Sequence, residues 1–514
     1  MRLQGNKLKR KSRSIAIIGT LVASILFGMI NLETTPPLWL DEGWILTVAR
    51  NWLERAHYGL LLAGEPVSTN MTTGFPAVGP IALSFKFFGV GIWQGRIVGV
   101  FFGIGALSLL CYIAFRLYGW AVAVATIAVL MLMSMHEELH PVLISRQALG
   151  EMPALFYLLG GYACFLSAST KSSCFVPLSI FFWSIALITK LQVLPFWALS
   201  LLIPLALLLL TKSWTQSGLI ASMLIGAIIT SRALLWFLQS LVQYPTLSAP
   251  DGLYNITALV WALSPRLVSL MVTLLFGVPT LLGLFYGAWS FTTTKAKFLS
   301  QDHTEVVKLA LLVLASSWFG WYAALSVGWI RYLFPATFIG SIFVAAMLYS
   351  LTGHFNAHYT IDRAGSVITH LNITRQNIAS LLTVLLITIS LAATLRMLYQ
   401  SYVIKPDGSV LQVAEFLNTQ IPRNALIETY DSELFFLLKR RYHYPPDEIH
   451  IKLNKRTFLR QPVSINYDPL ANNPDYLVVG PHSRLWHLYD PIVKTGAFRL
   501  LKSYGRYEVY ERLH

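Results

Sequence analysis

Three observations predict a mainly α, polytopic membrane protein. The chain is 55% hydrophobic and only 12% charged, where a soluble domain carries about 25% charged residues. Apolar runs of bilayer-crossing length, about 20 residues, recur from residue 14 to residue 398. After residue 401 the composition changes to that of a small α/β domain. The mean hydropathy of +0.58 belongs with the first two observations.

The runs centre on residues 14–31, 92–115, 119–135, 148–168, 174–189, 193–211, 216–231, 267–290, 307–327, 332–350 and 377–398. They predict about 11 helices, and up to 13 if further segments cross. The N-terminal MRLQGNKLKRKSR is a basic block ahead of the first run. Such blocks stay in the cytoplasm. The net charge of +15 is therefore read as topology, and nucleic acid is not an expected partner. No small-x-small cleavage site precedes Asn31, so the first run reads as an uncleaved anchor. An odd count from an inside start puts the C-terminus outside. Lys171, Lys212, Arg363 and Arg375 then fall at cytoplasmic turns. Cys111, Cys164 and Cys174 lie in or beside apolar runs and read as buried thiols.

Two outer loops are long, 36–90 and about 241–265. The chain therefore divides into a membrane domain, 1–400, and an outer α/β domain, 401–514. In the latter, VLQVAEFLNTQ has helical spacing, ALIETY and DYLVVG read as strands, DSELFFLLKRR as a helix, and LLKSYGRYEVYER as a hairpin. No internal repeat or inverted half is evident.

The stretch PPLWLDEGWILTVARNW, 36–52, sets Asp41 and Glu42 at the start of a helical pattern. Trp44, Val48 and Trp52 form one stripe, with Arg50, Asn51 and Glu54 opposite. That pattern suits an amphipathic helix at the membrane interface. Asp41 stands where an N-cap would sit. A helix start is also a rigid mount for a general base.

Four further motifs carry ionisable groups. HEELH, 136–140, matches H-E-x-x-H, in which His136 and His140 would hold zinc and Glu137 would act as base on a helix. Pro141 follows at once, and the motif ends an apolar run rather than lying inside one. In SRQALGEMPALF, Arg146 and Glu151 flank the entry to a span. They read either as a structural pair at poor helical spacing or as functional groups. In GWIRYLFPA, Arg331 lies between two runs, and its planar fork of donors suits phosphate, though interface snorkelling is the plainer role. Lys86 and Arg96 are lesser candidates of the same kind. There is no P-loop, G-x-G-x-x-G or G-x-S-x-G, so no nucleotide-driven chemistry has support.

These residues carry a resemblance. LDEGWILTVA, TTGFPAVGPIALSFKFFGVGIWQGRIVGVFFG, SRQALGEMPALFYLLGGY, IRYLFPA and VAEFLNTQIPRNALIETYDSELFFLL follow one another along most of the chain. In this order they resemble the GT-C class of integral-membrane glycosyltransferases, in the branch of protein O-mannosyltransferases and lipid A aminoarabinose transferases. The resemblance implies a sugar donor carried on polyprenyl phosphate and an active site at the outer face under the first loop. It implies inverting transfer, with Asp41 as base and Glu42 orienting acceptor or donor. Arg331 and Arg146, then Lys86 and Arg96, become candidates for the donor phosphate. Glu151 stands where some relatives carry Asp. A bacterial inner membrane is implied, with membrane lipids as surroundings and a lipid, glycan or protein as acceptor. No metal ligand is assigned, and a divalent ion at the donor phosphate is left open. Two other classes stay in view: a membrane zinc metalloprotease built on HEELH, and a transporter or flippase for lipid-linked sugars. A transporter would need ionisable residues nearer the midplane.

Overall fold

The computed structural model describes residues 28–67, 73–168, 174–242, 266–293, 302–404 and 407–513. Most of the expected first span, the loop at 243–265 and Lys171 lie outside the described residues.

Six described helices are long and apolar enough to cross a membrane: Ile92–Tyr118, Val193–Leu210, Trp214–Leu241, His303–Leu325, Ile330–Leu351 and one beginning at Arg375. A seventh crossing is supplied by Leu267–Phe276 and Val278–Thr293 together, bent by 78°. The expected runs at 119–135, 148–168 and 174–189 are helices, but short ones: Trp120–Leu132, Glu151–Ser167 and Phe175–Thr189. Among the described residues, ten of the eleven expected runs are thus helices of two lengths, and six or seven crossings are long enough to span. The protein is an integral membrane protein. Its core is built mainly where Glu151–Ser167, His303–Leu325 and the helix from Phe334 pack, around Leu158, Trp183, Trp197, Tyr322 and Phe338. None of the three cysteines forms a disulfide among the described residues; Cys111 and Cys164 are half-buried, and Cys174 is exposed rather than buried.

The first loop forms a helix, Leu40–Arg55, here called the loop helix, and a small hairpin, β1 (Leu60–Leu62) and β2 (Glu65–Val67). The chain's C-terminal part is a five-stranded sheet of β3 (Leu426–Thr429), β4 (Arg441–His443), β5 (Tyr476–Val479), β6 (Phe498–Tyr504) and β7 (Tyr507–Arg512), in the order β4-β3-β5-β7-β6. β3 is parallel to β4 and β5, while β7 is antiparallel to β5 and β6. The helix expected over DSELFFLLKRR is only Glu433–Leu437, because the chain must straighten to enter β4.

One hydrophobic core joins the loop helix to this sheet: Ile45, Val48 and Ala49 pack with Val413, Ile427, Phe435 and Val509. The loop helix is therefore sandwiched by protein on most sides, with even Thr47 and Asn51 buried. Its tryptophans meet aromatic rings rather than lipid alone. Trp52 packs against Tyr58 and Phe75, and Trp44 against His450. Gly43 permits the close approach, since a Cβ there would lie 2.4 Å from the Glu433 Cα. Ser432 Oγ donates to the Leu40 carbonyl at 2.7 Å across the same seam.

Candidate active site

The two adjacent carboxylates face opposite ways. Glu42 is fully buried, and Arg96 grips it from two sides, with Nε to Oε1 and Nη2 to Oε2 both at 2.7 Å. Ala148 N–H adds a bond to Oε1 at 2.9 Å. The remaining Arg96 nitrogen, Nη1, donates to the carbonyls of Leu32 and Pro36 at 2.8 and 2.9 Å. Both side chains are 0% exposed, so this bidentate pair ties the loop helix to the span Ile92–Tyr118 and has no face open to a ligand. The sequence expectation for Glu42 as a substrate-orienting group and Arg96 as a ligand of the donor phosphate meets this obstacle of access. Glu42 also caps the helix, accepting from the Trp39 N–H at 3.4 Å. The helix starts at Leu40, so Asp41 lies inside the first turn rather than at the expected cap position.

Asp41 points the other way. Its Oδ2 accepts from Arg331 Nη2, and its side chain remains 41% exposed. Arg331 is 7% exposed and is held in a cage: Trp39, Trp329 and Tyr332 rings lie 5.6, 5.3 and 5.7 Å from its guanidinium carbon. Its backbone N–H donates to Glu138 Oε2 at 3.0 Å. Its Nε lies 4.0 Å from Glu151 Oε1 and lacks a hydrogen-bond partner. Glu151 in turn binds Lys190 Nζ. Asp41, Arg331, Glu151 and Lys190 thus alternate in sign along one line. They come from the loop helix, the turn before Phe334–Leu351, the start of Glu151–Ser167 and the turn after Phe175–Thr189. Gly328, with φ +85°, makes the bend that delivers Arg331.

Exposure separates the two carboxylates of this line. Glu151 is 5% exposed, and the void beside Glu151, Lys190 and Arg331 measures about 10 Å³, room for no more than one water. A larger cavity of about 170 Å³ is lined by Trp39, Glu137, Glu138, Arg331, Glu433 and His482, among others. The C-terminal sheet region forms one wall of it. Glu433 is buried there, with Oε1 accepting from Tyr507 at 2.6 Å and Oε2 without a partner. His482 stands edge-on to Trp39 at 5.0 Å.

Charges tune these groups. Burial alone would push the Asp41 carboxyl up, but Arg331, Lys190 and His450 together outweigh it and hold it below the usual carboxylate range. Burial pushes Glu433 up to about 8, helped by the nearby Asp431. Burial also raises Glu138 against the pull of Arg331. His450 is lowered to about 4 by burial, with Asp41 opposing.

The other candidates lie elsewhere. Arg146 is buried against the chain after the first run: Nε donates to Thr35 O at 2.8 Å, Nη2 donates to Ile30 O, and the Tyr402 ring lies 4.9 Å away. It makes no direct pair with Glu151, whose partner is Lys190. Lys86 is exposed at the end of the helix Phe75–Phe88 and lines neither cavity of the site. HEELH does not form the helix its zinc reading requires. Glu137–Leu139 is one 3-10 turn, so His136 and His140 share no helical face. His140 Nε2 is spent on the Met131 carbonyl at 3.2 Å, and His136 Nδ1 accepts from the Glu138 N–H. No group of three His, Cys, Asp or Glu side chains disposed to hold a metal occurs among the described residues.

Sequence reasoning missed Lys190, Glu138, Glu433 and His482. Lys190 carried the one available signal, a lone cation between two apolar runs.

A membrane bundle, a first-loop helix carrying an acidic residue, and a C-terminal sheet packed against that helix make a fold shared with solved structures of integral-membrane glycosyltransferases. ArnT from Cupriavidus metallidurans, solved bound to undecaprenyl phosphate, superposes with a TM-score of 0.62 over 97% of this chain and 98% of that one, at 13% identity. Its apo state gives 0.65 with the same shares, at 16% identity. AglB, the oligosaccharyltransferase of Archaeoglobus fulgidus, solved with an inhibitory peptide and a dolichol-phosphate, gives 0.52 over 97% of this chain and 74% of its own, at 11% identity. No family model and no curated protein matches the sequence.

Proposed function

We propose that the protein transfers a sugar from a polyprenyl-phosphate donor to a hydroxyl acceptor at the outer face of a bacterial inner membrane, with inversion. One observation carries this reading: Asp41 is an ionised, half-exposed carboxylate whose counter-ion, Arg331, lines the adjoining cavity. The likeness in fold to proteins solved with undecaprenyl phosphate and dolichol-phosphate supports the donor class.

The chemistry follows from the charge line. At rest Arg331 neutralises Asp41, which makes Asp41 a weak base. An incoming donor phosphate competes for the planar guanidinium and for Lys190. As Arg331 turns to the phosphate, the Asp41 carboxylate loses its counter-ion and its proton affinity rises. Asp41 then takes the proton of the acceptor hydroxyl. The freed oxygen pair forms the bond to the anomeric carbon from the face opposite the phosphate. The carbon–oxygen bond to phosphate breaks, and polyprenyl phosphate leaves with the electron pair. Arg331 and Lys190 stabilise the charge that grows on it. Glu42 and Arg96 hold the helix that carries Asp41. The acceptor is a lipid, glycan or protein hydroxyl, presented from the side of Glu433 and His482.

Purified protein would be assayed with radiolabelled polyprenyl-phosphate sugars and a membrane extract as acceptor. Transfer by the native chain and none by folded Asp41→Asn is the expected result. Equal transfer by both would remove Asp41 from the reaction.

A further inference from the structure

A second, larger cavity lies outside the charge line. It measures about 760 Å³ and runs between the C-terminal end of the loop helix and the start of the C-terminal sheet. Six cations line it: Arg50, Arg55, Arg423, Lys439, Arg440 and Arg441, against only Glu33 and Glu54. Among the described residues, none of the six is within ion-pair distance of a carboxylate. Three are instead fixed by backbone carbonyls. Arg50 donates to Phe436 O at 2.6 Å and Phe435 O at 3.1 Å, Arg441 Nε donates to Ala63 O at 3.0 Å, and Arg440 Nη2 donates to Asn418 O. Carbonyls orient a guanidinium without cancelling its charge. The groove therefore keeps a concentrated positive field, costly to the fold unless an anion enters.

Its height identifies the anion. Val90, Gly91 and Ile92 form part of its lining, and Ile92 begins the 27-residue apolar helix that reaches Tyr118. The groove thus opens where a span leaves the bilayer. Phe87 and Phe88, 70% and 68% exposed, stand just before it in the chain, with exposed Lys86 beside them. Apolar side chains at the sill and cations above it match the two halves of a charged lipid. Asp41 and Arg55 are at opposite ends of the loop helix, about 21 Å apart at 1.5 Å per residue, so this groove is distinct from the cavity lined by the Asp41 counter-ion, Arg331.

We propose that this groove binds the phosphate headgroup of an anionic phospholipid of the surrounding leaflet. Its bound headgroup bridges the loop helix, through Arg50 and Arg55, to the sheet region, through Arg423 and Lys439. The lipid then works as a clamp across the seam that shapes the catalytic cavity. The proposal needs only the membrane setting and stands whether or not the transfer reaction is as described above.

The test uses the full chain in nanodiscs of phosphatidylcholine alone or with phosphatidylglycerol, reading the thermal unfolding midpoint and the lipids retained in native mass spectra. Phosphatidylglycerol should raise the midpoint and be retained preferentially. The double variant Arg423→Glu/Lys439→Glu, changed at two exposed positions, should retain it about tenfold less or weaker still. If that variant does not fold, Arg55→Gln and Lys439→Gln, each made singly, provide the comparison. Equal midpoints in the two lipids would overturn the proposal. So would undiminished retention by the variants. Inorganic phosphate raising the midpoint as much as phosphatidylglycerol would assign the groove to free anions and overturn the lipid.

Discussion

Replacing Glu42 by Gln separates the two roles that adjacent carboxylates can play. The side chain keeps its shape and one oxygen, but Arg96 loses its counter-ion. Both members of the pair are 0% exposed, and the guanidinium has no other carboxylate in reach among the described residues. An uncompensated buried charge costs about 3–5 kcal/mol when one partner of such a pair is removed. The remaining Arg96 bonds, to the Leu32 and Pro36 carbonyls, hold the group in place and prevent its escape to solvent. The loss should therefore sit near the upper end of that range. The assay is thermal or denaturant unfolding of the detergent-solubilised chain, paired with sugar transfer per folded molecule. Glu42→Gln should be strongly destabilised while its folded fraction retains most of its transfer. The double variant Glu42→Gln/Arg96→Met should recover much of the stability, because removing both charges avoids the desolvation penalty. A Glu42→Gln protein of native stability that transfers no sugar would refute this reasoning and return Glu42 to the chemistry.

Three further outcomes are expected. Asp41→Asn should lower transfer about 10²- to 10⁴-fold, the span of a lost general base, with little loss of stability, since Asp41 is half-exposed; a smaller effect measured in single turnover would argue against it. Glu433 has a folded pKa raised to about 8, so the folded state holds a proton that the unfolded state releases above about 4.3; stability should fall as pH rises from about 5 to 8, and Glu433→Gln should abolish that fall in pH-dependent melts. Gly43→Ala should cost about 1–3 kcal/mol by overpacking, because the added carbon meets the Glu433 backbone at 2.4 Å, and unfolding midpoints would report it.

The apolar runs were legible because helices of a bundle are apolar nearly all round, so length and hydropathy suffice to find them. Their crossing status was less legible: Trp120–Leu132 and Phe175–Thr189 read like spans by composition but are shorter than one. The break at Gly277 was hidden inside one continuous run. In the site, Asp41 and Arg331 were both legible as ionisable residues at membrane boundaries. Their pairing, 290 residues apart, was not. Arg96 and Arg146 share that sequence signature, yet one is consumed by Glu42 and the other is held by the backbone carbonyls of Ile30 and Thr35. A cation's type and position along the chain do not tell whether its donors are already spent. Glu433 and His482 were illegible for another reason: nothing in a soluble-looking segment announces that it will close over a site built in the membrane part.

The resting pair of Asp41 with Arg331 bears on the order of events. A base bound to its own counter-ion is a poor base, and a phosphate site whose arginine is occupied by a carboxylate is a poor phosphate site. Each group is held back by the other until a third charge arrives. In the proposed reaction the donor phosphate would supply that charge, while Glu151, 4.0 Å from the Arg331 Nε, stays as a second carboxylate beside the guanidinium. Donor binding would then precede activation of the acceptor. Arg331→Lys, which keeps the charge but loses the planar fork, should weaken both the resting pair and the donor complex. Its signature would be a raised donor KM together with an acidic limb of the pH–rate profile moved to higher pH, because Arg331 holds the Asp41 carboxyl down. An unmoved acidic limb with a raised KM would leave Arg331 as a phosphate ligand and remove its hold on Asp41.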